Sequence, residues 1–184
     1  MLSHTLADEV VLRPLQHDDG GRLSAAYLRN REHLLPWEPV RSEEFFTREW
    51  QEEHVTAALL DHAAGRLHPL VLARGEEIVG RLNVGDVVRG AFQSAGLGYW
   101  TDARLQGKGI MTAAVRAVVE LARDELDLHR LQAATLVHNT ASQAVLARAG
   151  FERIGLAPRY LQIAGRWQDH VLFQRILEDR PLAR

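Results

Sequence analysis

Two glycines and a lysine lie together where a predicted strand gives way to a predicted helix. Residues 95–101 have the apolar character of a strand, and Gly107, Lys108 and Gly109 follow after a short polar segment. A long helical pattern begins immediately afterwards. Glycines let a ligand approach the backbone closely, and the exposed N–H groups and dipole at a helix start favour an anion. The spacing therefore predicts a site for a phosphate or pyrophosphate group.

Two common phosphate loops do not fit this stretch. A Walker loop needs Ser or Thr after its Gly-Lys pair, and here Gly109 follows Lys108. A Rossmann fingerprint needs a third glycine where Thr112 stands. The remaining pattern is Arg104-x-x-Gly107-x-Gly109, which an ordinary strand-to-helix turn could also produce.

A second motif follows about thirty residues later. Asn139 and Ser142 open a predicted helix, and Gly150-Phe151 closes it. Asn is a favoured helix cap and Gly a favoured helix stop, so a capped helix alone could explain these residues.

Together the two motifs resemble those of the GCN5-related N-acetyltransferase (GNAT) superfamily, whose members hold acetyl-coenzyme A (acetyl-CoA). The resemblance implies that the pyrophosphate lies on the backbone of residues 106–111 and that the predicted strands 95–101 and 130–137 splay apart to admit the coenzyme. The residues it assigns to acetyl-CoA are Tyr99, Trp100, Thr101, Arg104, Gln106, Gly107, Lys108, Gly109, Ile110, Met111, Thr112, Asn139 and Ser142.

Two further stretches are similar to a narrower group, the bacterial ribosomal-protein alanine N-acetyltransferases. They are Trp37-Glu38-Pro39-Val40-Arg41 and Trp167-Gln168-Asp169-His170-Val171, and the likeness extends over roughly residues 10–175. It implies a protein acceptor whose N-terminus begins with Ala or Ser. Trp37, Glu38, Tyr160 and Trp167 are the expected acceptor-binding residues, with the tryptophans as walls of a cleft or, equally, as core side chains.

The chemistry of acetyl transfer explains several residue types. Backbone N–H groups of the strand at 97–101 are expected to polarise the thioester carbonyl, by resemblance. Ser142 is the expected acid for the leaving thiolate. An α-amine has a pKa of roughly 8, so a weak base or a water chain would suffice to deprotonate it.

The base itself stays open at this point. Tyr160, Glu38 and His138 are candidates for the base or for positioning the acceptor, and Asp169 and His170 are further candidates. Each also has a structural explanation: Glu38 could pair with Arg41, His138 could end a strand, and Asp169-His170 could stabilise the last strand.

Composition excludes several other classes of function. The 184 residues are 46% apolar and 25% charged, with a net charge of −2, so no broad basic field suggests nucleic acid. The absence of cysteine excludes disulfides, thiolate metal sites and an acetyl-cysteine intermediate.

No metal site, signal segment or membrane span is expected, and a cytoplasmic protein and a homodimer are further expectations. A small-molecule amine acceptor and a non-catalytic acetyl-CoA-binding module stay open as alternatives.

Periodicity predicts alternating strands and helices. The predicted strands cover residues 10–15, 69–73, 77–84, 95–101, 130–137, 151 onward and 167–176; the predicted helices cover 23–35, 42–65, 109–126 and 140–149. The resemblance implies an α/β (mixed α+β) fold with one N-acetyltransferase domain over residues 1–184. Its twisted, mixed, mostly antiparallel sheet would have about seven strands, with helices on both faces.

Overall fold

One mixed sheet organises the chain. The computed structural model describes residues 3–178, and within them eight strands follow the spatial order β1-β2-β3-β4-β5-β6-β8-β7. Every neighbouring pair is antiparallel except β5 and β6, which run parallel. The strands are β1 His4–Thr5, β2 Val11–Pro14, β3 His68–Arg74, β4 Glu77–Val88, β5 Ser94–Thr101, β6 Arg130–Leu136, β7 Glu152–Ile163 and β8 Arg166–Ile176. The helices are α1 Gly20–Arg29, α2 Arg31–Leu34, α3 Arg48–Ala63, α4 Ile110–Asp124 and α5 Thr140–Arg148.

Both faces of the sheet are buried, because successive side chains of a strand point to opposite faces. In β3, Leu70 and Leu72 join a core cluster with α4 and α5, whereas Val71 joins a second cluster with α1 and α3. Helices therefore cover both faces, as predicted. Helix α4 is the most deeply packed because its apolar side chains recur at helical spacing and are nearly all buried.

Two helices differ from the prediction. The helix expected at 23–35 begins earlier, at Gly20, and breaks at Asn30, whose backbone (φ −104°, ψ 11°) separates α1 from α2. The helix expected from Ser42 begins at Arg48, where the Thr47 side chain accepts the Trp50 N–H as its cap. A short 3₁₀ turn precedes it. The structure also adds the short strand β1 to the seven strands predicted.

Strand β7 forms one edge of the sheet and pairs only with β8 among the described strands. Its pairing shifts register twice, between Arg153 and Gly155 and between Ala157 and Leu161. A tight turn at Ala164 and Gly165, both with positive φ (49° and 79°), joins β7 to β8. This hairpin extends to the segment at residues 37–41, where the Ala164 N–H donates to the Glu38 carbonyl at 3.0 Å.

Candidate active site

Strands β5 and β6 separate soon after they meet. They pair only at Ser94–Arg130, Ala95–Leu131 and Gly96–Gln132, although β5 continues to Thr101 and β6 to Leu136. Between these diverging halves, the backbone groups of residues 97–101 that face β6 have no strand partner among the described residues. The splaying predicted for these two strands is confirmed, and it leaves free N–H donors along one side of a wedge-shaped opening.

The glycine loop lies at the end of β5 and leads into α4. Gly107 and Gly109 have φ values of 73° and 77°, the left-handed conformation that glycine adopts without strain. Gly109 is the N-cap of the 15-residue α4 and makes no side-chain capping bond. No heavy atom lies within 4 Å of a Cβ built at either glycine. The first N–H groups of α4 are therefore available to an anion that approaches from this open side.

The cationic side chains of the loop already have partners. The Lys108 Nζ lies 2.8 Å from the Asp8 carboxylate. The Arg104 guanidinium holds Asp102 at 2.9 Å and Glu77 at 3.1 Å. An anion at this loop would therefore be held mainly by backbone N–H groups, and a phosphate contact for either side chain stays a prediction.

Several other residues predicted for the coenzyme direct their side chains elsewhere. Trp100 donates from Nε1 to the Tyr27 hydroxyl at 3.1 Å and packs into the cluster under α1 and α3. Ile110, Met111 and Thr112 are buried, so only their backbone N–H groups lie near the loop. The Thr101 hydroxyl lies 3.5 Å from the Val79 carbonyl.

A pair of hydroxyl groups spans the opening. Asn139 caps α5 by accepting the Ser142 N–H at 3.0 Å, as predicted for a capping residue. The Ser142 Oγ in turn lies 2.9 Å from the Tyr99 Oη, which comes from β5 on the other side. Burial raises the pKa of Tyr99 to about 12, although its bond with Ser142 acts in the opposite direction. The Tyr99 hydroxyl is therefore protonated at neutral pH, and either hydroxyl can be the donor in this bond. The sequence placed both residues at the coenzyme but did not predict that they touch.

A cleft of about 470 Å³ lies beside β4 and β5 on the face covered by α1 and α3. Glu38 lines it and forms an ion pair with Arg41 at 3.4 Å. Burial raises the pKa of Glu38, while the charges of Arg41 and Arg81 partly oppose that shift. Sequence reasoning missed Arg81 and Asn83, which also line the cleft. These two residues alternate along β4 with the buried Leu82 and Val84, and this alternation could have predicted that they lie on the opposite face of the strand.

The aromatic residues predicted for acceptor binding lie outside the residues that line this cleft. Trp37 is half-buried, and its ring lies 5.5 Å from the ring of exposed His138 at the end of β6. Tyr160 is 46% exposed and Trp167 is 62% exposed, so Trp167 is not a core residue. The two segments that were expected to face each other across a cleft are instead in contact. The Ala164 N–H, at the tip of the β7–β8 hairpin, donates to the carbonyl of Glu38.

Two candidate bases make structural contacts. The Asp169 carboxylate accepts the Arg159 N–H at 2.8 Å, where the register of β7 shifts. His170 is buried, and its Nδ1 lies 2.9 Å from the Gln168 carbonyl. These contacts favour the structural explanation for both residues. Within residues 3–178, no cluster of potential metal ligands is found, and none of the helices has the length and apolar character needed to cross a bilayer.

Comparisons with known proteins agree with this geometry. The family description "Acetyltransferase (GNAT) domain" matches residues 9–152. The ribosomal protein uS5-alanine N-acetyltransferase of Escherichia coli (strain K12) is 37% identical over 167 residues, which cover 90% of this chain and 86% of that protein.

Two solved structures are similar along most of their length. The ribosomal-protein-S5-alanine acetyltransferase of Vibrio fischeri superposes with a TM-score of 0.94 at 33% identity, covering 98% of this chain and 100% of that one. Mycobacterium smegmatis RimJ, solved in complex with CoA-disulfide, gives a TM-score of 0.86 at 35% identity, covering 91% and 81%. The resemblance predicted from the two motifs is confirmed: this chain belongs to the GNAT family of acetyltransferases.

Proposed function

We propose that this enzyme transfers the acetyl group of acetyl-CoA to the N-terminal α-amine of a protein that begins with Ala or Ser, with a ribosomal protein as the acceptor. The match along 90% of the chain to an enzyme named for acetylating the alanine of ribosomal protein uS5 carries the choice of acceptor. The RimJ structure with a CoA-disulfide supports the choice of coenzyme. The pyrophosphate would lie on the backbone N–H groups of residues 106–111, and the thioester would lie between β5 and β6.

The residues of the opening supply what the reaction needs. The amine nitrogen attacks the thioester carbon, and the resulting oxyanion would accept hydrogen bonds from the free N–H groups of residues 97–101. The carbon–sulfur bond then breaks, and the sulfur gains a proton. Ser142 would give its proton to the sulfur, Tyr99 would return a proton to the Ser142 Oγ, and Tyr99 would regain its own through solvent. Of the two protons that the ammonium loses, one balances the thiol and the other reaches solvent.

Glu38 is the proposed base or ammonium anchor. It lines the cleft beside β5, and its raised pKa brings it closer to that of an α-amine, about 8. His138 and Tyr160 are exposed and lie outside the residues that line this cleft. Two carboxylates, Glu38 and Asp61, and two guanidinium groups, Arg41 and Arg81, line the cleft, so it lacks the acidic excess that would favour a polyamine as acceptor.

The acceptor is tested with matched peptides and mass-spectrometric detection. Peptides that begin with Ala or Ser should be acetylated much faster than the same peptides with a blocked N-terminus and one internal lysine, because a lysine amine, with a pKa near 10.4, is far less often neutral. Preference for the lysine peptides or for a polyamine would overturn the proposed acceptor.

A further inference from the structure

A buried carboxylate lies at the junction between β5 and the glycine loop. Asp102 is 1% exposed, and its two oxygens accept two and three hydrogen bonds. Oδ1 accepts from the Arg104 N–H and Nε, both at 2.9 Å. Oδ2 accepts from Arg29 Nε at 2.8 Å, Arg104 Nη2 at 3.0 Å and Asn30 Nδ2 at 3.1 Å. Burial alone would raise the pKa of Asp102, but these bonds outweigh it and hold the pKa well below its usual range. Nothing in the proposed chemistry uses this charge.

Asn30 approaches the same junction from the helical layer. It is also 1% exposed, and it stands where α1 ends and α2 begins. Its Nδ2 donates to the Ala26 carbonyl at 2.9 Å as well as to Asp102, and its Oδ1 accepts the Ala103 N–H at 3.0 Å. One side chain therefore fixes both the break between the helices and the first turn of the loop.

Helix α2 also lies close to the loop at a second point and leads directly to the cleft. The Nε2 of His33 lies 3.3 Å from the Gln106 Nε2, immediately before the first loop glycine. After α2, the Trp37 N–H donates to the Leu34 carbonyl at 2.8 Å. Glu38, which lines the cleft, is the next residue. The same short helix thus contacts the proposed coenzyme loop and begins the proposed acceptor segment.

We infer that Asp102 and Asn30 are positioning residues that set the coenzyme loop and the Glu38 segment in one fixed arrangement. This inference rests on the function proposed above and extends it, because neither side chain contacts a substrate in that proposal. The loop and the segment are far apart in the sequence, and the Asp102–Asn30 bond joins residues 72 positions apart. Loss of this junction should therefore disturb coenzyme binding and acceptor use together.

The test compares Asp102→Asn with Asp19→Asn. Asp19 is fully buried, and it accepts Arg13 Nη1 at 2.7 Å and the Gln16 N–H at 2.8 Å, at the opposite end of α1. Both substitutions remove a buried carboxylate charge that is paired with arginine, so both should lower the melting temperature. Only Asp102→Asn should weaken coenzyme A binding in calorimetry and raise the KM for an Ala-initiated peptide. Its kcat/KM should fall roughly ten- to a hundredfold, because small misplacements of reacting groups are costly.

Asn30→Ala provides a second variant, which leaves the pairs of Asp102 with Arg29 and Arg104 in place. It keeps the inference testable if Asp102→Asn does not fold, and it should weaken both coenzyme A binding and peptide use. Coenzyme A affinity equal to that of Asp19→Asn, in folded protein, would overturn the inference. A wild-type enzyme that binds coenzyme A but ignores the peptides would overturn the proposed acceptor only, since the calorimetric comparison does not depend on it.

Discussion

The glycine at the start of α4 offers the most direct test of the anion site. Gly109 has a φ of 77°, and no heavy atom lies within 4 Å of a Cβ built there. In Gly109→Ala, the added methyl group would meet no protein atom beyond its chain neighbours and would lie on the open side from which the pyrophosphate is proposed to approach. The left-handed conformation costs an alanine about 1–2 kcal/mol.

The strain energy of the alanine predicts a loss of either stability or acetyl-CoA affinity, depending on whether the backbone keeps its conformation. If the variant keeps its φ, its melting temperature should fall by about 2–8 °C, as expected for a chain of this size. If the backbone relaxes instead, acetyl-CoA must restore the strained conformation, and Kd should rise roughly five- to thirtyfold. Contact between the methyl group and the ligand would add to this effect. Calorimetry with acetyl-CoA and a thermal melt measure both quantities.

Gly75 provides the matched control. It has a φ of 57°, its Cβ position is equally open, and it lies in the turn between β3 and β4. Gly75→Ala should therefore lose comparable stability but bind acetyl-CoA as the wild type does. Equal affinity in both variants would refute the assignment of the pyrophosphate to the start of α4.

Three further predictions concern the chemistry. Ser142→Ala should lower kcat by around ten- to a thousandfold with little change in acetyl-CoA affinity, and Tyr99→Phe should lower it less, because Ser142 would still reach the sulfur; wild-type turnover in Ser142→Ala would leave Ser142 as a residue of the helix start only. Since burial raises the pKa of Glu38 and only its ionised form can accept a proton, kcat/KM should fall as the pH decreases through that raised pKa. Glu38→Gln should lose this acidic limb, and an unchanged pH profile would remove Glu38 as the base. Lys108→Ala should weaken acetyl-CoA binding less than Gly109→Ala and only at low salt, because its charge is exposed and paired with Asp8; a salt-independent loss would contradict this.

The sequence predicted the features that depend on local patterns. The glycine loop and the Asn139 cap lie in short stretches whose residue types and spacing indicate their role without knowledge of the fold, whereas the splaying of β5 and β6 was expected only from the family resemblance. Among the core strands, alternating or continuous apolar residues were sufficient to place β3 to β6 close to their observed bounds. These features needed no information from distant parts of the chain.

Features that depend on distant partners could not be predicted. The periodicity of residues 23–35 supports one helix, and the break at Asn30 arises because its side chain is bound to Asp102 and Ala103. Arg81 could be assigned to the cleft only once the structure showed which face of β4 lies toward α1 and α3. The bond between Tyr99 and Ser142 likewise depends on how far β5 and β6 diverge, which no local pattern measures.

The irregular edge strand β7 has a consequence for self-association. An exposed sheet edge normally offers a row of unpaired N–H and C=O groups that another chain can extend into a larger sheet. β7 exposes apolar side chains such as Leu156 and Leu161, yet Pro158 lacks an N–H and Arg159 adopts a φ of 48° between them. The Arg159 N–H is also taken up by Asp169 within the hairpin. A second copy would find no regular ladder to continue along β7, so this edge of the sheet is protected against aggregation by strand addition.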